Sequence, residues 1–387
     1  MLEDILDVSN KDRTNSIVAL NAVSALAQIG QFGLATALFP IALEAKGATA
    51  QTIGIVSAAF WLGMLLGLLI AGKLTRKFGY RNTVMLGLLA SALSFICTPF
   101  IHWVWWSLPA TIIGVGMGLR WIGNETWLYR LAPIEARGRI VGIHETLIAV
   151  ASILGPFMIV LVGGTKPTAF WFGAAACSVA IAPLFAAMQL PATDNIAHNQ
   201  VQKNTNWSFW LALGGLIAGF GGWIEGSVIA LLPIYAADMH AASQSAWLLT
   251  IFGIGTFVFQ YTVGWLSDRN GVLWTSKICA SVGALALTLT LTFNTQIAIL
   301  AIALFLLGGV TAGLLTLGMI WAAQHGTGAA LTNKVRQVSI VYTCFSAAGP
   351  FVAGFVVSQT SSQSLFWQQL VVIFVLFVVL FKAKVTD

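Results

Sequence analysis

The chain has 387 residues, of which 58% are hydrophobic and only 8% charged, with a formal net charge of +6. So little polar surface cannot cover a water-soluble globule of this length, which excludes an ordinary soluble enzyme or nucleic-acid binder and leaves a polytopic membrane protein. Cys97, Cys177, Cys279 and Cys344 each sit inside apolar sequence, at spacings that suit neither a disulfide framework nor a metal site.

The acidic start MLEDILD lacks a basic stretch and a small-residue cleavage site, so no removable signal peptide is expected. Twelve apolar spans fit the roughly 20 residues needed to cross the hydrocarbon: 16–42, 50–72, 82–101, 103–130, 138–162, 168–190, 207–236, 243–265, 274–294, 297–322, 335–358 and 364–382. Basic residues then set the orientation. One set of connections holds Lys11, Arg13, Lys73, Arg76, Lys77, Arg81, Arg130, Arg137, Arg139, Lys203, Arg269, Lys277, Lys334, Arg336, Lys382 and Lys384; the other holds Lys46 and Lys166. The positive-inside bias places both termini in the cytoplasm. Trp103, Trp105 and Trp106 read as an outer aromatic belt, and Trp207 and Trp210 as an inner one.

Residues 191–206 are polar and aperiodic, as expected of a cytoplasmic linker between residues 1–190 and 207–387. Landmarks recur across it. Pro40, read as the end of the first span, matches Pro233 in the seventh, and Gly72, read as opening a loop, matches Gly264. Gly116 matches Gly309, and Gly155-Pro156 matches Gly349-Pro350, all at offsets of 192 to 194 residues. Two six-span bundles of the same topology are expected, a parallel repeat of the kind transporters use.

Few charges lie inside the spans, and such residues usually face a cavity or a partner. Arg120 is ten residues from Arg130 at the inner edge, about 15 Å deep and near the midplane. A guanidinium stays charged and needs a partner or water, so it either contacts an anionic substrate group, tunes a nearby carboxyl, or is structural. Glu125 and Glu145 lie at similar depths on adjacent antiparallel spans, where they either share a proton or lock helix ends against Arg130, Arg137 or Arg139. Arg120 and Glu125 are five residues apart, a poor spacing for a pair on one helix. Glu225 sits among Gly219, Gly221, Gly222 and Gly226, without a basic residue nearby in sequence. That reads as a glycine-loosened helix carrying the first-choice proton site, or as an acid hydrogen-bonded across a helix interface. Asn21, Gln28 and Gln31 share one broad face of the first span; amide contacts between helices are the competing reading there and for Gln260 and Gln324. His144 neighbours Glu145, where a proton relay is the alternative, but adjacent residues point apart and it reads as a packing or interfacial histidine; His102 and His240 read as outer-loop residues, His198 as linker and His325 as a helix end.

Gly72 to Arg81 and Gly264 to Gly271 resemble the Gly-x-x-x-Asp-Arg-x-Gly loop of the major facilitator superfamily, and Pro133–Arg139 resembles that family's loop between spans four and five. The run Asn124 to Leu128 also resembles the Glu-Ser-Trp-Leu run of a bacterial YcaD-like subgroup. The resemblance implies an all-α membrane fold of twelve helices in two pseudo-symmetric bundles. It further implies a central cavity lined by spans one, four, seven and ten, with Gln28, Gln31, Arg120, Trp121, Asn124, Trp223 and Glu225 as cavity residues. It gives Gly72, Arg76, Gly79, Arg81, Arg137, Arg139, Gly264, Asp268 and Arg269 gating roles. Arg76 stands where the first loop of the family has aspartate, so gating is expected to rest on Asp268 and Arg269. Gly155-Pro156 resembles the antiporter signature of drug exporters, although Ala151, Ile159 and Val160 replace its flanking glycines.

The expected activity is alternating-access transport of a small amphipathic or anionic molecule, driven by protons through Glu225, Glu125 and Glu145, with efflux favoured. Uptake of a carboxylated nutrient and a non-transporting receptor are the alternatives. No GxxxxGK[ST] loop, GxSxG run or His pair at i,i+4 points to an ATPase or an enzyme. Neither cofactor nor metal is expected. The expected partners are the substrate, protons and the lipid of a bacterial inner membrane, not nucleic acid, and the chain is expected to work as a monomer.

Overall fold

The computed structural model describes residues 10–133, 136–162, 164–190, 209–324 and 328–383. Apolar sequence in lipid must satisfy its backbone internally, and the chain does so with helices. Helix α1 (Asn10–Gln28) passes through a π-helical turn, Ile29–Leu34, into α2 (Ala35–Ala45). There follow α3 (Ala50–Cys97), α4 (Ser107–Leu131), α5 (Arg137–Val162) and α6 (Pro167–Val179). Then come α7 (Phe209–Asp238), α8 (Ser245–Asn270), α9 (Val272–Thr292), α10 (Ile297–Gln324), α11 (Gly328–Gln359) and α12 (Ser364–Lys382). Among the described residues ten segments are long and apolar enough to cross a membrane. The count becomes twelve once α3 is divided at its break and α4, made less apolar by Arg120, Asn124, Glu125 and Arg130, is included.

Several boundaries differ from the sequence reading. Pro40 and Pro233 do not end their spans; α2 and α7 continue for a further turn beyond them. One missing N–H is tolerated when the surrounding backbone has no better partner in lipid. Gly72 and Gly264 open no loop and lie inside α3 and α8. The chain turns instead at Gly79 (φ 80°, ψ 170°) and Gly271 (φ 81°, ψ 158°), a backbone region essentially reserved for glycine. Helix α6 stops at Val179 because Pro183 cannot bond to that carbonyl, and a short 3₁₀ turn, Ala182–Phe185, carries the chain on. Trp106 is not a belt residue. It is buried, donates from Nε1 to Ile101 O at 3.0 Å and meets the Phe170 ring edge-on.

The backbone groups into two compact units, Met1–Leu38 with Leu62–Asp194, and Phe39–Trp61 with Asn195–Asp387. The expected linker, Trp207 and His198 lie outside the described residues, as do His325 and the side chain of Trp210. Inside the first unit, α5 crosses the π turn at backbone contact: a methyl group on Gly155 would lie 2.0 Å from the Gly33 carbonyl carbon. Inside the second, α7 and α11 cross in the matching register, with a methyl on Gly226 falling 2.4 Å from Ser346 O and one on Gly349 falling 2.6 Å from Trp223 O. Helix α3 meets α4 at Gly63 and Thr111 as α8 meets α10 at Gly255 and Phe305. In the second unit, Gly54 of α3 also packs on Pro350 and Gly354 of α11. Lipid tails are as apolar as the helices, so association depends on such close packing, and small residues permit it.

Candidate functional site

Arg120 is 2% exposed, at the contact of α4 with α1 and the π turn. Its guanidinium is held by neutral oxygens. Nε donates to Gln31 Oε1 at 2.7 Å, Nη2 to Gln28 Oε1 at 2.7 Å, and Nη1 to Ser24 Oγ at 3.3 Å. Each amide is oriented from its other end: Gln31 Nε2 donates to Ser91 Oγ at 2.8 Å and Gln28 Nε2 to Ser152 Oγ at 3.2 Å. Asn124 adds bonds from Nδ2 to Ser24 Oγ at 2.7 Å and Leu20 O at 3.0 Å. The π turn places Gln31, and its glycines bring that turn against α5 and α6. Among the described residues no carboxylate pairs with Arg120, although Glu125 is near enough to act on it electrostatically.

Glu125 and Glu145 are half-buried on α4 and α5, and the charge of Glu145 reaches Glu125. Trp121 is half-buried on the same stretch of α4. Arg130 donates from Nη1 to Tyr80 Oη at 3.0 Å and lies over that ring. His144 is fully buried, with Nδ1 2.8 Å from Asn21 Oδ1. Asn21 Nδ2 already donates to Ile17 O, so its oxygen faces the histidine and Nδ1 carries the proton. Sequence reasoning gave this histidine no polar partner and passed over Ser24, Ser91 and Ser152. Ser24 carried a signal, since it shares the helical face of Asn21, Gln28 and Gln31.

In the second unit Glu225 is 8% exposed and accepts a hydrogen bond from Tyr342 Oη, a partner not singled out in the sequence. The glycines around it do not loosen α7, which is continuous over Phe209–Asp238. They admit neighbours: Gly222 and Gly226 abut Tyr342 and Ser346 of α11, while Gly221 abuts Thr311 of α10. Tyr342, Ser346 and Gly349 recur at four and three residues, the face that α11 turns to α7. Trp223 stands edge-on to Phe345 at 6.3 Å, and its buried Nε1 has no acceptor among the described residues. Thus Arg120, Gln28, Gln31 and Asn124 converge in the first unit, and Trp223 and Glu225 belong to the second. Among the described residues no cluster of three His, Cys, Asp or Glu side chains could hold a metal ion.

The sequence profile of the Major Facilitator Superfamily matches residues 20–210 and again residues 211–387. The chain belongs to this superfamily. A protein of Yersinia pestis (strain Pestoides F) described as an uncharacterized MFS-type transporter is 25% identical over 348 residues, covering 85% of this chain and 86% of the relative. The uncharacterized MFS-type transporter YfkF of Bacillus subtilis (strain 168) is 24% identical over 359 residues, covering 91% and 90%. In structure, the chain is similar to a mutant of the nucleoside transporter NupG, with a TM-score of 0.79 and 14% identity over 95% of this chain and 100% of that one. It is also similar to the xylose transporter XylE from E. coli, with a TM-score of 0.72 and 14% identity over 95% and 97%. These identities bear on the fold alone. The protein is therefore an integral membrane secondary transporter of the MFS type, with bacterial relatives, and not an enzyme.

The superfamily's loop residues lie at the helix ends. Gly79 and Gly271, the last glycines of the two loop motifs, make the breaks described above. Arg81 donates from Nη2 to Ala187 O at 2.7 Å, while Arg76 and Arg139 are exposed. Asp268 is exposed, and Arg269 lies over the Trp265 ring at 3.9 Å. The side chain of Arg137 lies outside the described residues.

Proposed function

We propose that this MFS protein is a proton-coupled exporter that carries a small amphipathic organic molecule by alternating access. The observation that carries the reading is Glu225: a carboxyl buried in the middle of α7, bonded to a neutral phenol and not to a cation. A carboxyl without a fixed counter-charge is free to exchange a proton during the cycle. Glu125 and Glu145, close enough to influence one another, supply a second proton-exchanging pair in the first unit. Asp268 and Arg269 serve as the gating residues of the loop motif, both termini face the cytoplasm, and the Asn124 to Leu128 run supports a place near the YcaD-like proteins. Uptake of a carboxylated nutrient is the weaker reading, because an anion would have to displace Gln28 and Gln31 from Arg120.

The test is transport in proteoliposomes with imposed gradients. Substrate flux is expected to rise with a pH gradient of either polarity, directed oppositely to the protons, and to collapse when gradient and voltage are dissipated. Glu225→Gln is expected to keep gradient-independent exchange while losing the proton-driven component. Flux indifferent to both gradients would remove proton coupling from the reading.

A further inference from the structure

Glu225 lies in the middle of α7, and its surroundings are aromatic. Tyr342, which bonds Glu225 Oε2, stands edge-on to Trp61 at 6.2 Å and 85°. Two residues before Glu225, Trp223 meets Phe345 at 69°, and Phe345 meets Phe220 at 5.9 Å. One buried polar atom in this cluster, the Trp223 Nε1–H donor, has no acceptor among the described residues, while the bond from Tyr342 goes to Oε2 of the carboxyl. Buried polar groups are normally paired, so this donor calls for an acceptor.

The charge of the missing group follows from what flanks it. A carboxylate repels anions, and aromatic rings present a negative face that attracts cations. The other deeply buried charge, Arg120 in the first unit, already has three of its five N–H donors on neutral oxygens, at Nε, Nη1 and Nη2, so an anion there would compete with those contacts. We propose that Glu225, Tyr342 and Trp223 bind an organic ammonium. Its N⁺–H lies against Glu225 Oε1, its apolar or aromatic body lies against the rings, and an acceptor on it meets Trp223 Nε1–H. This assignment rests on the transporter reading and names the substrate class at the same carboxyl.

Size-matched probes of opposite charge test it: phenethylammonium against hydrocinnamate, and tetraphenylphosphonium against tetraphenylborate. Binding to the purified full chain in nanodiscs is followed by quenching of tryptophan fluorescence at neutral pH. At least one cation is expected to saturate and to bind about tenfold or more tightly than its anion, the scale of one desolvated charge contact. Glu225→Gln should abolish that preference, and Tyr342→Phe, which keeps the ring, should weaken cation binding about threefold. Should Glu225→Gln not remain monodisperse, Tyr342→Phe and Trp223→Phe decide, and unchanged cation affinity in both overturns the proposal. So does equal or tighter binding of the anions, or saturation by neither cation. Proton-driven counterflow of either anion in proteoliposomes, with no cation binding, would overturn the ammonium site and leave the transporter reading standing.

Discussion

Arg120 shows how a permanent charge is kept out of water among neutral oxygens. Desolvating a guanidinium is costly unless its donors are met, and here amide and hydroxyl oxygens meet three of the five. The two glutamines are not interchangeable packing groups, because each is polarised by a serine at its far end. Replacing Gln31 with leucine leaves Nε of Arg120 short of an acceptor and removes the donor to Ser91, whose own bond to Gly87 O stays. We expect Gln31→Leu to lower stability by about 2 kcal/mol, within the range for hydrogen bonds to charged groups. In an Arg120→Leu background the same change should cost markedly less, since the charge that needed the amide has gone. Denaturant unfolding in mixed micelles across the four variants measures this coupling, and additive losses would show that the amide does not serve the arginine.

The glycines of this chain divide by what stands beside their Cα atoms, not by their position in a motif. At Gly155 and Gly226 a methyl group would fall on the backbone of the crossing helix, whereas at Gly72 and Gly142 nothing lies within 4 Å. Gly155→Ala and Gly226→Ala must therefore push the crossing helices apart, at a cost of about 1–3 kcal/mol for overpacking. Gly72→Ala inside a continuous helix should be neutral or stabilising by about 0.5–1 kcal/mol. Thermal unfolding of the three single variants distinguishes these outcomes, and a destabilised Gly72→Ala would put that residue back in a turn. The same contrast explains which features are legible in the sequence. Hydrophobic run length reveals the spans, because lipid imposes it on every segment. Helix ends are misplaced at Pro40, Gly72, Pro233 and Gly264, because local breakers lose to the demand for backbone hydrogen bonds. Arg120 and Glu225 are legible as polar residues in apolar sequence. Ser152, which orients Gln28, and Tyr342, which bonds Glu225, are not, since a lone hydroxyl in a span has no periodic signature until the crossing register is known.

At the scale of the molecule the repeat is visible in packing as well as in landmarks. The Gly155 crossing on Gly33 and the Gly349 crossing on Trp223, and the turns at Gly79 and Gly271, recur at offsets near 193 residues. A parallel repeat of two six-span units puts equivalent loops of both units on the same side of the membrane. The sixteen lysines and arginines gathered on one set of loops, against Lys46 and Lys166 on the other, are the ground for proposing that this side is the cytoplasm. Four exposed positions test the assignment: Lys46 and His240 on one set, Arg76 and Asp268 on the other. Each is replaced by cysteine in a chain whose four native cysteines are changed to serine or alanine. Intact cells are then treated with a membrane-impermeant maleimide. Lys46→Cys and His240→Cys should label from outside, and Arg76→Cys and Asp268→Cys only after the membrane is opened. Labelling of Lys46→Cys and Arg76→Cys from the same side would contradict the crossing between them. Reversed labelling of all four would invert the proposed orientation.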